Sequence, residues 1–212
     1  MAVKKPYHHG DLRAALLNAV EALVSEKGIE ALSLRECARR AGASWSAPAH
    51  HFVDKTGLLT AFAIEGFERL YAHMELCRDS VTDPAMRSAA VGEGYLEFAL
   101  CHREHFRVMF RTELLNQDDA MYQLAVRSAF KVLEDSIRDC DQSMNLDQAE
   151  TLTERCLLAW ATVHGFASLC LEGAISPDGR SLKAKTGNAL ETGRHLISLL
   201  GPSLFPAPLC RK

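Results

Sequence analysis

Apolar positions recur at helical spacing along almost the whole chain. Leu12, Leu16, Leu17, Val20, Leu23 and Val24 fall three and four residues apart, which lines one face of a helix. Gly28 follows and is expected to end that helix in the left-handed conformation. Ser33, with Glu36 three residues on, reads as a capping box opening a second helix. Its Leu34, Cys37 and Ala38 point inward, its Arg35, Arg39 and Arg40 point outward, and Ala41-Gly42 closes it. Ser44 is expected to cap a third helix, Trp45 to Phe52, and Asp54 a fourth, Lys55 to Asp79. Val81-Thr82-Asp83-Pro84 breaks the pattern. Later helices are predicted over 85–102, 104–115, 118–141, 147–174 and 181–200, with breaks near Asn116-Gln117, Ser143–Asn145 and Ser176–Gly179. Residues 1–8 read as an arm, and 201–212, with three prolines, as irregular. No run alternates as a strand does, and no repeat or low-complexity tract is present. The fold class is all-α.

Ser33–Phe52 carries the chemistry. Two short helices meet at a turn around Gly42, where glycine accepts a positive φ at little cost. The small Ala38 lets their backbones approach. This is helix-turn-helix patterning, whose second helix enters a DNA major groove. Ser33, Ser44 and the Lys55-Thr56 start place backbone N–H groups where a phosphate can sit. Trp45, Ser46, His50 and His51 occupy the third helix, from which side chains reach base edges or the sugar-phosphate. Arg35 and Lys55 add positive charge. The same pattern also describes a helical hairpin with a solvated basic face.

Charge adjusts this picture only slightly. The net charge is −3. Residues 1–58 carry eight basic against six acidic side chains and four histidines, and the remainder carries sixteen against twenty-one. The asymmetry permits DNA contact at the N-terminal end and does not require it. Hydrophobic residues make up 48% and charged residues 24%, ordinary for a globular protein.

Residues 8–70 resemble the N-terminal domain of TetR/AcrR-type bacterial regulators. The features run in that family's order: a long helix, Gly28, the capping Ser33, Ala38-x-x-Ala41-Gly42-x-Ser44, His51-Phe52, Asp54-Lys55, then Leu58-Leu59. Trp160 and His164-Gly165, one helical turn apart, resemble the W…H-G core of one branch. Three positions depart from the pattern. Ala49 stands where most members have a tyrosine that touches phosphate, Pro48 where many have a non-proline residue, and Trp45 where a small or polar residue is usual.

The resemblance implies a helix-turn-helix head over 1–54, a connecting helix over 55–79, and a helical ligand-binding and dimerisation domain over 80–212. It implies a homodimer paired through the last two long helices, where Ala159, Gly165, Ala167 and Gly173 permit close packing, although a core within one chain explains them equally. A dimer would read a palindromic operator in double-stranded DNA. A small-molecule effector would act by differential affinity for DNA-competent and incompetent states, most often releasing a repressor. Tyr95, Phe98, His102, Phe106, Met109, Phe110, Tyr122 and Phe130, with Trp160 and His164, are the candidate lining of an apolar effector pocket. The same residues at helical spacing equally make a plain core, and His164 needs a polar partner whichever holds.

Other chemistry finds less support. Cys101 and His105 fall four residues apart with His102 between them, a partial metal-binding pattern, but a zinc site needs three or four ligands and no second cluster is near in sequence. Seven cysteines are scattered without a Cys-x-x-Cys, so a disulfide framework is not expected. A thiol switch would have to use Cys37 near Arg40, which points inward. A redox- or metal-responsive regulator is thus the alternative reading. No nucleophile elbow, phosphate loop, dinucleotide fingerprint or His-Glu-x-x-His motif occurs, so no enzyme and no cofactor are expected. The first residues lack an apolar signal core, and Cys156–Leu171 is too short and too polar to span a membrane. A cytoplasmic protein is expected.

Overall fold

The computed structural model describes residues 9–146, 149–175 and 188–204. These form eight α-helices: α1 (His9–Lys27), α2 (Leu34–Arg40), α3 (Lys55–Asp79), α4 (Arg87–Cys101), α5 (Arg103–Met109), α6 (Ala120–Ser143), α7 (Leu152–Leu171) and α8 (Ala189–Leu204). Short 3₁₀ turns link several of them, and there is no strand among the described residues. The predicted break at Ser176–Gly179 and residues 205–212 lie outside the described residues, while residues 201–204, expected to be irregular, continue α8.

The chain divides into two compact units. One comprises residues 1–67 and 104–125, the other 68–103 and 126–212. Both α3 and α6 therefore give their first part to the first unit and their remainder to the second.

In the first unit the apolar stripe of α1 packs on α2 and on the 3₁₀ turn Ile29–Ala31. Leu16, Val20, Leu23, Cys37, Ala38 and Leu58 are completely inaccessible, each leucine contributing roughly 1.5–3 kcal/mol by burial. Thr60, also buried, accepts from the backbone N–H of Asn116 at 2.9 Å and donates to the carbonyl of Thr56 at 2.8 Å. That fixes the segment after α5 against α3. Gly66 serves a close approach, since a Cβ there would lie 2.6 Å from Sδ of Met109.

Two local expectations need correction. Gly28 takes φ 77 with ψ 169, so it reverses the chain through an extended glycine conformation, not through αL. The third helix is a single 3₁₀ turn, Ala47–His50, with no side-chain cap from Ser44. Pro48 is the cause. It has no N–H to donate, and it disfavours helical geometry at Ala47. Its own carbonyl accepts from His51 and Phe52 at 3.0 and 2.7 Å, which closes the turn.

In the second unit α4, α7 and α8 pack mutually. Val91, Leu96, Phe98 and Ala99 of α4, Val163, Phe166 and Ala167 of α7, and Ile197 of α8 are all buried. Gly193 permits the approach of α8, because a Cβ there would run into Leu96 and fall 3.0 Å from Phe166. A separate cluster of Ile137, Cys156 and Ala159 joins α6 to α7. Beside it the guanidinium of Arg155 grips Asp141 with two bonds, Nη1 to Oδ1 at 2.8 Å and Nη2 to Oδ2 at 2.6 Å, both groups buried. No helix of the described residues is long and apolar enough to cross a membrane.

Candidate functional site

The helix-turn-helix face is built by local chemistry. Ser33 takes an extended conformation, φ −138 and ψ 148, and its Oγ accepts from the N–H of Glu36 at 3.2 Å. That is one half of the expected capping box. The Glu36 carboxylate turns instead to Arg39, which it holds bidentately at 2.8 and 2.7 Å. Gly42 adopts φ 66 as its position requires. The N–H of Ala43 then donates to the carbonyl of Ala38 at 2.9 Å, which closes the turn.

Beyond the turn, Trp45 stands 80% exposed at the front of the Ala47–His50 turn. Ser44 and Ser46 bring their hydroxyls within 3.3 Å of each other. His50 and Ala49 are exposed, while Pro48 is buried and His51 half-buried. Ser33, Arg35, Glu36, Arg39, Ala43 and Trp45 line a shallow hollow of about 360 Å³. Of the DNA-face candidates, Ser33, Arg35 and Trp45 thus share one concave surface.

Charge on this face is partly spent internally. Arg40 is bound by Glu26, with one bond at 2.8 Å and a second shorter one, and lies 3.5 Å from Glu36. The hydrogen bonds from Arg39, assisted by the charges of Arg39 and Lys27 and a hydrogen bond from Arg40, hold the Glu36 carboxyl down to about 2. Arg35 is exposed and makes no ion pair among the described residues. Lys55 extends Nζ to 3.5 Å from the Ile29 carbonyl. Asp54 accepts from the N–H of Gly57 at 2.7 Å, so one of the first N–H groups of α3 is capped by the chain's own carboxylate. Glu36 as a charge hub was readable from its spacing to Arg39 and Arg40. Arg13, whose guanidinium lies 5.9 Å from the Phe52 ring centroid, had no such signal.

The ten effector-pocket candidates separate between the units. Phe106, Phe110 and Tyr122 belong to the first. Phe106 packs on Phe110 at 4.9 Å between ring centroids, and Phe67 meets Phe110 and Tyr122 edge-on at 5.6 and 5.9 Å. Met109 is wholly buried against Gly66. Phe106, Met109 and Tyr122 are buried in that unit, and Phe110 is half-buried against them.

Tyr95, Phe130, Trp160 and His164 come together in the second unit. The indole Nε1 of Trp160 donates to the Tyr95 hydroxyl at 3.3 Å, and that hydroxyl lies 2.8 Å from Nδ1 of His164. Phe130 meets Trp160 edge-on at 6.3 Å. Burial raises the Tyr95 phenol well above its ordinary value and lowers His164. With a protonated phenol and a neutral imidazole, the bonds run in one direction: indole N–H to phenol oxygen, phenol O–H to Nδ1. Phe98 and His102 pair with each other at 5.0 Å on the same unit.

The partial metal pattern does not assemble. Cys101 ends α4 and is exposed, whereas His105 belongs to α5, wholly buried and stacked on Phe62 at 4.0 Å. Cys101 and His105 therefore share no helix face. Among the described residues the three metal-binding side chains that do converge are His73, Cys77 and Glu97. Burial pushes the thiols of Cys37, Cys140 and Cys156 up to about 11, which removes thiolate character from them.

A glycine-turned helix pair joined to an all-helical body defines a helix-turn-helix protein of two units. Two sequence-family models agree: "Bacterial regulatory proteins, tetR family" matches residues 16–62, and "Tetracyclin repressor-like, C-terminal domain" matches 88–186. The chain belongs to the TetR family, a family of transcriptional regulators and not of enzymes. It is 36% identical over 88 residues to the HTH-type transcriptional regulator BetI of Yersinia pestis (strain Pestoides F), a match spanning 39% of this chain and 42% of that protein. The alignment thus covers less than half the length of these curated relatives. A protein of unknown function from Rhodococcus sp. RHA1 shares the fold with a TM-score of 0.75 and 28% identity, over 95% of this chain and 97% of that one. The transcriptional regulator FadR of Bacillus subtilis, solved in complex with stearoyl-CoA, has a TM-score of 0.68 at 12% identity, over 88% of this chain and 96% of its own.

Proposed function

We propose that this protein binds a palindromic site in double-stranded DNA as a homodimer, as a cytoplasmic repressor that a small organic effector releases. The reading keeps the division into a DNA-binding head (1–54), a connecting helix (55–79) and an effector and dimer domain (80–212). One observation carries it: a Ser33-capped helix and a positive-φ Gly42 present Arg35 and the exposed Trp45 on one surface. Arg35 and Lys55 supply phosphate contacts, Ser44 and Ser46 supply hydroxyls, and Trp45, His50 and His51 read bases or pack on sugars.

The dimer reading is supported by apolar residues of the last two helices that are exposed among the described residues. Leu157, Leu158 and Leu169 of α7 and Leu199 of α8 are 42 to 61% exposed. Ala159 and Ala167 are used inside the chain and Gly173 forms the turn after α7 at φ 75, but a Cβ on Gly165 would meet nothing within 4 Å. Its smallness answers no need among the described residues.

The effector reading rests on the Tyr95, Trp160 and His164 chain, with Phe130 and the Phe98–His102 pair as apolar and aromatic neighbours in the same unit. A few convergent polar groups in an apolar setting suit an organic molecule with one or two hydrogen-bonding groups.

The test is fluorescence anisotropy on DNA from upstream of its own gene, at physiological salt with excess random competitor. Two protomers should bind one site. Affinity no better than for random DNA, followed by failure of a selection from random oligonucleotides, would refute the reading.

A further inference from the structure

The last turns of α3 and the middle of α4 bring three different metal-binding groups to one place. His73 and Cys77 stand one helical turn apart on α3, with Glu97 of α4 beside them. One ligand atom from each lies within 4.8 Å of the other two. Nε2 of His73 is 3.3 Å from Oε2 of Glu97. The second carboxylate oxygen, Oε1, accepts from Nη2 of Arg194 on α8 at 3.3 Å, and Nε of Arg194 donates to Glu93 at 2.8 Å. Arg194 thus orients the Glu97 carboxylate with its other oxygen toward the histidine.

The thiol is seated by a separate device. A Cβ on Gly94 would lie 2.9 Å from Sγ of Cys77, so only glycine at this position of α4 admits the sulfur here. A surface His–Glu pair accounts for two of the groups and not for this third one. All three are half-buried. A cavity of about 370 Å³ opens beside them, its lining including Cys77, Met86, Glu93 and Glu97.

We propose that His73, Cys77 and Glu97 form a binding site for a divalent transition-metal ion of the zinc class. Thiolate, imidazole and carboxylate together suit a borderline ion, whereas magnesium and calcium seek oxygen ligands alone. Three protein ligands leave one position of a tetrahedron for water or another small ligand, which the adjacent cavity accommodates. Bonds of ordinary length would draw sulfur and nitrogen to about 3.5 Å apart, a closure that side-chain rotation can supply. On binding, the Cys77 thiol loses its proton to solvent, the His73–Glu97 hydrogen bond is replaced by two bonds to the ion, and Arg194 keeps its hold on Oε1. The ion then staples the end of α3 to α4.

The experiment titrates Co²⁺ into the full, untagged chain under a non-thiol reductant. A thiolate-to-cobalt charge-transfer band should saturate at one ion per chain, and Zn²⁺ should bleach it. Cys77→Ser should abolish the band, and His73→Gln and Glu97→Gln should each weaken binding by about tenfold or more. Cys101→Ser should change nothing. No band, or a band that survives in a folded Cys77→Ser, overturns the proposal. A second measurement needs no variant. In the unsubstituted protein Zn²⁺ should slow alkylation of Cys77 by about tenfold and leave that of Cys101 unaltered, and equal rates at Cys77 with and without the ion overturn the site.

Discussion

The hydroxyl of Tyr95 on α4 lies 2.8 Å from Nδ1 of His164 on α7, while the indole of Trp160, one turn before His164, donates to that same hydroxyl. One phenol therefore satisfies polar groups from two positions of a neighbouring helix. Tyr95→Phe deletes it with almost no change of volume. Stability in urea denaturation should fall by about 1 kcal/mol, the cost of leaving half-buried polar groups without this partner. If the three residues form the effector site, the variant should also need a higher effector concentration to leave DNA. Unchanged urea stability would mean that solvent replaces the hydroxyl freely.

The same pair sets a pH dependence. Burial lowers His164 below its ordinary 6.5 in the folded chain. The unfolded chain therefore binds the proton more readily, and stability must fall as protons are added. The contribution is complete above about pH 6.5, and it is lost as pH falls from there through the folded-state value. His164→Gln should flatten the acid side of a plot of melting temperature against pH. An identical acid limb in the variant would assign that slope to other groups.

Arg155 and Asp141 make a stronger case for stability through pairing. Their fork of two bonds is buried between α6 and α7. Arg155→Met strands a carboxylate in the interior and should cost about 3–5 kcal/mol. The double variant Arg155→Met with Asp141→Leu removes both charges and should regain most of that loss, because apolar replacements of a buried ion pair are often neutral or stabilising. Chemical denaturation of the three proteins checks this, and a double variant as weak as the single one contradicts it.

The exposed leucines of α7 allow a direct test of the homodimer. Leu158→Glu places a charge on a face that is 43% exposed in one chain. A monomer should tolerate it within about 0.5 kcal/mol, as surface sites usually do, whereas a dimer built on this face should dissociate. Sedimentation velocity at micromolar concentration separates the two outcomes. A second variant, Gly165→Phe, fills space that is open within one chain and should give the same result.

Much of this architecture was legible in the residues, and what was not has identifiable causes. Helical spacing located every long helix, and Ser33 and Gly42 marked the turn because a short hydroxyl side chain caps a helix and a residue without Cβ takes positive φ at little cost. The third helix does not form because Pro48 lies inside a segment too short to grow past it, and the spacing of apolar positions does not register that. Phe106, Met109, Phe110 and Tyr122 sit at the same periodicity as Tyr95 and Trp160, yet they belong to a different unit, and periodicity carries no information about that assignment. His73, Cys77 and Glu97 stayed hidden for a related reason. Two of them share a helix, but the third is supplied by the packing of α4, which Gly94 permits.

Glu36 is the residue of the DNA face whose role the structure changes most. Its carboxylate, held down to about 2 by Arg39 and its other cationic neighbours, is ionised at any working pH and occupies Arg39 while also lying 3.5 Å from Arg40. Glu36→Gln keeps the size and the backbone N–H that Ser33 accepts but removes the negative charge. Arg39 then becomes free for phosphate, and an acidic group leaves the surface proposed to meet DNA. Binding to random DNA should tighten, and the slope of log affinity against log salt should steepen by about 0.9, the effect of one added phosphate contact. Discrimination between operator and random DNA should fall, because the new contact reads no base. Anisotropy titrations across a salt series measure all three quantities, and a slope identical to that of the parent would show that Arg39 faces away from the DNA.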